Sequence, residues 1–303
     1  MRAEDAAGLV PVPFAASVAG LPAEGGPTGA DWLADLPRLL AAVLDAWDLT
    51  PDGTPAWGRT ALVLPVRADG AAAALKLGWP HEESRGEHLA LRAWDGRGAV
   101  RLLRADPARS VLLLERLTRE DLGEVWDEEA CRVVGELHRQ LHVPALPQLP
   151  RLSRWAAREM AQLDDVGDAL PRRLVTQARS LVRDLTADPA CDATLVHTDL
   201  HYANVLSDGT DWVAIDPKPM AGHPAVEMAP MLWNRAAELG TGPSLRWSVR
   251  RRLEVLCEVS GTPWELARDW SVVREVVNAA WAVADGDTDR VSLAMVLVKA
   301  LGD

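Results

Sequence analysis

At 303 residues, 48% of them hydrophobic, the chain is long enough to bury a sizeable core and to form one large or two moderate domains. Its formal charge of -12 and isoelectric point near 5.1 argue against nucleic acid or an anionic membrane as the main partner and are compatible with a cationic small molecule. Cys131, Cys191 and Cys257 lie far apart with no CxxC or zinc spacing, and the start Met1-Arg2-Ala3-Glu4-Asp5 is acidic. The apolar stretch 9–21 is broken by Pro11 and Pro13, so the expectation is a cytoplasmic protein with reduced thiols, no membrane span and no protein partner implied.

After a Pro/Gly-rich opening through Gly29, residues 31–47 space Leu33, Leu36, Leu39, Leu40, Val43 and Leu44 along one helix face, with Asp31 near the cap. An irregular stretch, 49–60, leads into strands 61–66 and 72–77, with Asp69-Gly70 as the hairpin turn. A helical segment at 82–94 and strands at 99–103 and 110–114, around the turn Asp106-Pro107, complete a small antiparallel lobe. Beyond Arg116 the pattern turns helical, over 127–142, 152–163, 171–185, 244–259, 263–284 and 289–301. Short strands at 195–196 and 212–215, with the turn Ser207-Asp208-Gly209, interrupt those helices. Thr262-Pro263-Trp264-Glu265 predicts a capping box with proline at the first helical position. The reading is an α+β chain of two lobes, 1–116 with a leading helix and 117–303, joined near residues 116–122.

The chemistry concentrates in His197-Thr198-Asp199-Leu200-His201-Tyr202-Ala203-Asn204 and in Ile215-Asp216-Pro217 at the end of the next strand. An Asp, an Asn five positions on and a second Asp closing a strand make the proton-acceptor and metal arrangement of a phosphoryl-transferring kinase. Asp199 would accept a hydroxyl proton; Asn204 and Asp216 would offer magnesium the hard oxygen ligands it prefers. Of 32 Lys and Arg residues only Lys76, Lys218 and Lys299 are lysine. Lys76 falls in the apolar segment Ala73-Ala74-Leu75-Lys76-Leu77, where a compact ammonium suits nucleotide phosphates in a way a planar guanidinium does not. Glu87, eleven residues on, is a candidate to orient that lysine, and Glu83 competes for the role.

Other constellations are weaker. His197, Asp199, His201 and Asp216 would make a zinc site only if the run were extended. His138 and His142 have helical metal spacing, but Arg139 stands where HExxH needs glutamate, and a structural pair is expected. Asp285, Asp287 and Asp289 start like a calcium loop, yet Arg290 replaces the required glycine. The loop 52–60 does not match GxGxxG, and no Walker-A sequence exists.

Ala74-Leu75-Lys76, the segment 91–103, Leu112-Leu113-Leu114-Glu115-Arg116-Leu117, the run 197–204, Ile215-Asp216-Pro217-Lys218-Pro219 and Met231-Leu232-Trp233-Asn234-Arg235 together resemble the aminoglycoside and hydroxyurea antibiotic phosphotransferases, streptomycin 6-kinase-like members of the aminoglycoside phosphotransferase superfamily. The resemblance covers about residues 47–234. It implies a two-lobed protein-kinase-like fold with a small N-terminal antiparallel sheet lobe and a larger, mainly helical C-terminal lobe. It also implies Asp199 as catalytic base, Asn204 and Asp216 on Mg2+, and Lys76 on the phosphates of ATP or GTP, with Glu87 counted in the nucleotide site as the carboxylate expected to orient it. Glu115 and Leu117 would lie beside the base. The acceptor implied is an antibiotic hydroxyl, as in an aminoglycoside such as streptomycin. Other hydroxylated antibiotics, hydroxyurea, an endogenous sugar or amino alcohol, and a catalytically silent nucleotide-binding protein are the alternatives. For a cationic acceptor the candidate carboxylates are Glu227, Glu238 and Asp285. The chain departs from the family's pattern at Thr198, where glycine is usual, and at His223 and Glu227, where aspartates are common.

Overall fold

A computed structural model describes residues 2–302. The chain divides into two compact units, Met1–Arg119 with Ser207–Asp211, and Glu120–Leu206 with Trp212–Asp303.

In the first unit, helices α1 (Ala3–Ala7), α2 (Val12–Ala19) and α3 (Gly29–Ala46) precede strands β1 (Leu49–Pro51), β2 (Ala56–Trp57), β3 (Ala61–Ala68) and β4 (Ala71–Gly78). Helix α4 (Glu87–Trp94) and strands β5 (Leu102–Asp106) and β6 (Val111–Glu115) follow. The strands form one antiparallel sheet in the order β1-β3-β4-β6-β5, with β2 on β3. Asp69 and Gly70 both take positive φ, 49° and 79°, as a two-residue hairpin matching the strand twist requires. Thr28 caps α3 by accepting the Asp31 N–H at 3.1 Å, and Leu36, Leu40, Val43 and Leu44 then meet Leu62, Leu64, Val66, Ala73, Leu75 and Leu77 in one core. Side chains alternate across a strand, so β4 sends Ala73, Leu75 and Leu77 into this core and Lys76 to the opposite face.

The opening is more helical than its prolines suggest. Pro13 lies in the first turn of α2, where a missing N–H costs nothing, and Phe14 and Val18 are buried in the α3 core. The segment expected as one helix over 82–94 breaks at Gly86 into a single turn, Glu82–Ser84, and α4.

The second unit comprises α5 (Asp127–Leu141), β7 (Val143–Pro144), α6 (Leu152–Gln162), α7 (Arg172–Leu185), β8 (Thr194–Val196), β9 (Val205–Ser207), β10 (Trp212–Ala214) and β11 (Met220–Gly222). It ends with α8 (Ala229–Trp233), α9 (Gly242–Ser260), α10 (Trp264–Asp285) and α11 (Thr288–Leu301). Strands β11, β8 and β7 pair in that order, and β9 pairs with β10. The capping box expected at Thr262 does not form. Pro263 is the N-cap residue, and the Thr262 hydroxyl instead accepts from Ser260 Oγ at 2.9 Å. Among the described residues no helix is long and apolar enough to cross a membrane. The three cysteines are buried, and burial pushes each thiol up to about 12, which leaves them as inert core groups.

Candidate active site

Register carries Lys76 to the middle of the sheet of the first unit, opposite Val63 on β3 and Leu112 on β6. Helix α4 brings Glu87 to it. The Nζ–Oε1 distance is 2.6 Å and both side chains are at least nine-tenths buried, while Glu83 is exposed. A buried ion pair of this geometry fixes an ammonium in one place, and removing either partner would be strongly destabilising. Glu115 Oε1 accepts the Arg101 N–H at 2.7 Å, and Arg116 donates to the carbonyls of Ala73 and Val66 at 2.7 Å each. The Glu115 side chain thus ties the start of β5 to the end of β6. Leu117 lies two residues beyond the end of that strand and is half-buried.

In the second unit the run 197–204 leaves β8 and is pinned by one buried acid. Glu227 Oε1 accepts the backbone N–H groups of His197 and of Thr198, the latter at 3.0 Å. Its Oε2 meets His142 Nε2 at 2.5 Å and lies 3.2 Å from His138 Nδ1. The two imidazoles stack with centroids 5.6 Å apart. Burial by itself would raise Glu227, but these imidazoles hold it well below the usual carboxylate range. The acceptor role expected for Glu227 is therefore corrected: it is 1% exposed, and both its oxygens serve the loop and the helix.

Thr198 has φ 63°, the left-handed region that a β-branched residue occupies only under strain, commonly about 1–3 kcal/mol. This accounts for the glycine usual there. Here the conformation is held from three sides: the N–H by Glu227, the hydroxyl by the Lys218 carbonyl at 2.6 Å, and the Thr198 carbonyl by Arg274 at 3.3 Å. Asp199 follows, its N–H on His197 Nδ1 at 3.3 Å. The other ring nitrogen of His197 donates to the Ile215 carbonyl at 2.9 Å, so the imidazole ties the loop to the residue before Asp216. Full burial pushes that imidazole down to about 4, keeping it neutral. The zinc alternative for His197, Asp199 and His201 is thereby excluded, because the His197 nitrogens are spent on the loop.

Asn204 donates its amide hydrogens to Asp199, at 2.8 Å to the backbone carbonyl and 3.3 Å to Oδ2, and its amide nitrogen lies 3.2 Å from His201 Nε2. That leaves the Asn204 carbonyl oxygen as the end available to a cation. The Asn204 backbone carbonyl accepts the Ile215 N–H at 2.9 Å, which sets Asp216, itself at φ 54°, beside the loop. An amide oxygen and a partly exposed carboxylate are hard donors of the kind magnesium takes, so the residues fit that ion. Burial raises the Asp199 carboxyl above its ordinary value, and His201, Lys218 and Arg274 pull against that rise. Burial lowers His201.

The remaining acceptor candidates are not assembled around Asp199. Glu238 is spent on an ion pair with Arg235, whose guanidinium also stacks over Tyr202 at 4.6 Å. Asp285 is exposed at the end of α10, eleven residues or about 16 Å along the helix from Arg274. What adjoins Asp199 instead is Arg274, with the rings of Trp155 and Trp233 5.4 and 5.5 Å from its guanidinium carbon. Neither Arg274 nor the supporting role of Glu227 carries a local sequence signal. The contacts join residues 76 and 29 positions apart.

A model of the family described as aminoglycoside/hydroxyurea antibiotic resistance kinase matches residues 46–286. The chain is 40% identical to streptomycin 6-kinase of Streptomyces glaucescens, with 96% of each chain covered. It is 42% identical to hydroxyurea phosphotransferase of Kitasatospora aureofaciens, over 87% of this chain and 78% of the relative. Aminoglycoside phosphotransferase APH(4)-Ia, in a ternary complex with ADP and hygromycin B, is similar in fold at a TM-score of 0.59 and 15% identity, covering 86% of this chain and 96% of that one. Choline kinase LicA from Streptococcus pneumoniae is similar at 0.61 and 12% identity, covering 87% and 97%. These likenesses identify the α+β fold as protein-kinase-like.

Proposed function

The chain belongs to the aminoglycoside/hydroxyurea antibiotic resistance kinase family, and on that premise we propose that it moves the γ-phosphate of a nucleoside triphosphate, ATP or GTP, to a hydroxyl of an antibiotic of the streptomycin class. The observation that carries the reading is the loop 197–204. It presents Asp199 with a proton acceptor's surroundings and bonds it to Asn204 within one turn of chain. Asp199 takes the acceptor's hydroxyl proton as the oxygen attacks the γ-phosphorus. Asn204 and Asp216 would hold magnesium, which when bound neutralises phosphate charge. Lys76, oriented by Glu87, serves the phosphates as a fixed point charge. The base falls to the backbone of residues 115–117, since the Glu115 side chain is engaged. The division of labour follows the two units, one binding nucleotide and the other carrying the base, the metal ligands and the acceptor.

A cationic acceptor is favoured by the net charge of -12, which steers cations toward the protein and loses effect as salt rises. The relative acting on hydroxyurea supports a second reading, in which that small neutral hydroxylated molecule is the acceptor. A coupled nucleoside-diphosphate release assay with aminoglycosides, hydroxyurea, simple sugars and amino alcohols, with mass detection of the phosphorylated product, separates them. Phosphorylated streptomycin is the expected outcome. Phosphorylated hydroxyurea alone would establish the second reading, and release without any phosphorylated acceptor would overturn both.

A further inference from the structure

Lys218 is one of three lysines in a chain whose positive charge is otherwise arginine, and nothing above gives it a role in the reaction. Its backbone is fixed unusually well. Pro217 and Pro219 flank it, its N–H donates to the His197 carbonyl at 2.9 Å, and its carbonyl accepts from the Thr198 hydroxyl at 2.6 Å. The root of the side chain is thus tied to the two residues that precede Asp199. At its other end the ammonium lies 3.2 Å from Asp216 Oδ2, with the side chain 16% exposed. A lysine kept for surface solvation would lie outward in water, whereas this one is held against the carboxylate assigned to the metal.

Arg274, the other cation beside Asp199, donates to the Thr198 carbonyl and lies within cation–π reach of two indole rings, which fixes its plane. Lys218 differs in having a compact ammonium with three donors on a flexible stem.

Resting on the phosphotransferase reading, we propose that Lys218 is a further catalytic residue, the cation that neutralises charge on the phosphoryl group in transfer. In that step the acceptor oxygen forms a bond to the γ-phosphorus while the bond from the γ-phosphorus to its bridging oxygen breaks. The hydroxyl proton goes to Asp199, and the electron pair leaves with the nucleoside diphosphate. Lys218 keeps its proton throughout and supplies N–H donors to the phosphoryl oxygens. Its pairing with Asp216 has a second consequence. The ammonium competes with any divalent cation for that carboxylate, so a cation bound there repels it and frees its donors for phosphate.

Two readouts test this, one independent of turnover. Lys218→Met is expected to lower kcat on the order of 10²–10³-fold, the loss typical of a missing transition-state donor, with nucleotide affinity within about threefold of the parent. The same variant without nucleotide should bind Mn2+ more tightly, because the competing ammonium is gone. Lys218→Cys, alkylated with bromoethylamine to rebuild a lysine-length ammonium, should recover activity; the three native cysteines are buried and spared. Normal kcat in Lys218→Met would overturn the proposal. So would a loss that alkylation does not restore, accompanied by unchanged or weakened Mn2+ binding, since that pattern belongs to a structural role. Asp199→Asn, assayed in parallel, separates the two levels: if it is inactive while Lys218→Met is normal, only this inference fails, and if both are fully active the proton-acceptor role of Asp199 fails with it, while absence of transfer from the parent protein itself would overturn the phosphotransferase reading.

Discussion

The two units hold their functional charges in opposite ways. In the sheet unit one buried pair, Lys76 and Glu87, stands on the register of three strands and one helix. In the helical unit Asp199 sits at the centre of a mesh, in which Glu227, His197, Asn204 and Arg274 each hold backbone of the loop and the Thr198 hydroxyl ties it to the Lys218 carbonyl. The sheet needs no such mesh, since its ladder already fixes where Lys76 lies and only the ammonium remains to be held. A loop has no ladder, so its backbone groups must be satisfied by side chains, and a strained residue such as Thr198 persists only when its surroundings over-determine it. Mutation should therefore be most damaging at the acid under the loop, more than at the pair on the sheet.

Glu227→Ala is expected to have the largest effect. It removes a buried carboxylate from two backbone donors and two imidazoles, costing about 3–5 kcal/mol in denaturant unfolding together with nearly all turnover. Glu227→Gln retains an oxygen for the two N–H groups and should recover a large part of the stability. A Glu227→Ala protein of parental stability would show that the mesh does not hold the loop.

Next comes the sheet pair. Lys76→Met takes the ammonium away from the buried Glu87 carboxylate and is expected to cost about 3 kcal/mol, whereas Lys76→Met with Glu87→Gln should restore most of that stability without restoring nucleotide affinity. Lys76→Arg should raise the nucleotide KM and lower kcat together, because a planar guanidinium does not reproduce a point charge. Unchanged kinetics in that variant would reduce Lys76 to a structural residue.

The smallest expected effect is one of pH, and it sets two buried groups of the helical unit against each other. Burial raises the Glu275 carboxyl on α10 to about 8, so the folded state keeps a proton that the unfolded state has lost above about 4.5. Stability from this group is complete below 4.5 and is lost as pH rises to 8. His197 has the opposite sign. Its value falls from 6.5 to about 4, so its contribution is complete above 6.5 and is lost as pH drops toward 4. The two slopes oppose each other between 4.5 and 6.5, and only the Glu275 slope, at most about 1.4 kcal/mol per pH unit, operates from 6.5 to 8. Glu275→Gln should flatten the thermal stability curve in that upper window; a curve as steep as the parent's would contradict the assignment.

What was legible in the sequence follows the same division. The hairpin around Asp69-Gly70, helix α3 and the long helices of the second unit were all readable, because periodicity and turn chemistry are local signals. The clustering of Asp199 with Asn204 was readable because a five-residue spacing is also local. Helix α2 escaped because its prolines read as breakers although they occupy the first turn, and β7, β9 and β11 are too short to show any period. The place of Glu227 under the loop has no local signal. A carboxylate near the end of a motif reads as a ligand, and nothing in the sequence tells that residues 138 and 142 will meet it in the interior. Glu238 pairs with Arg235, three residues earlier, a contact that local spacing allows but does not announce.

The measurement that bears most directly on the loop as the seat of catalysis is single-turnover phosphoryl transfer by Asp199→Asn, with nucleotide affinity determined on the same sample. The expected result is transfer slower on the order of 10²–10⁴-fold with the nucleotide dissociation constant unchanged within about threefold, since only the proton acceptor is removed. Transfer at close to the parental rate would contradict the account.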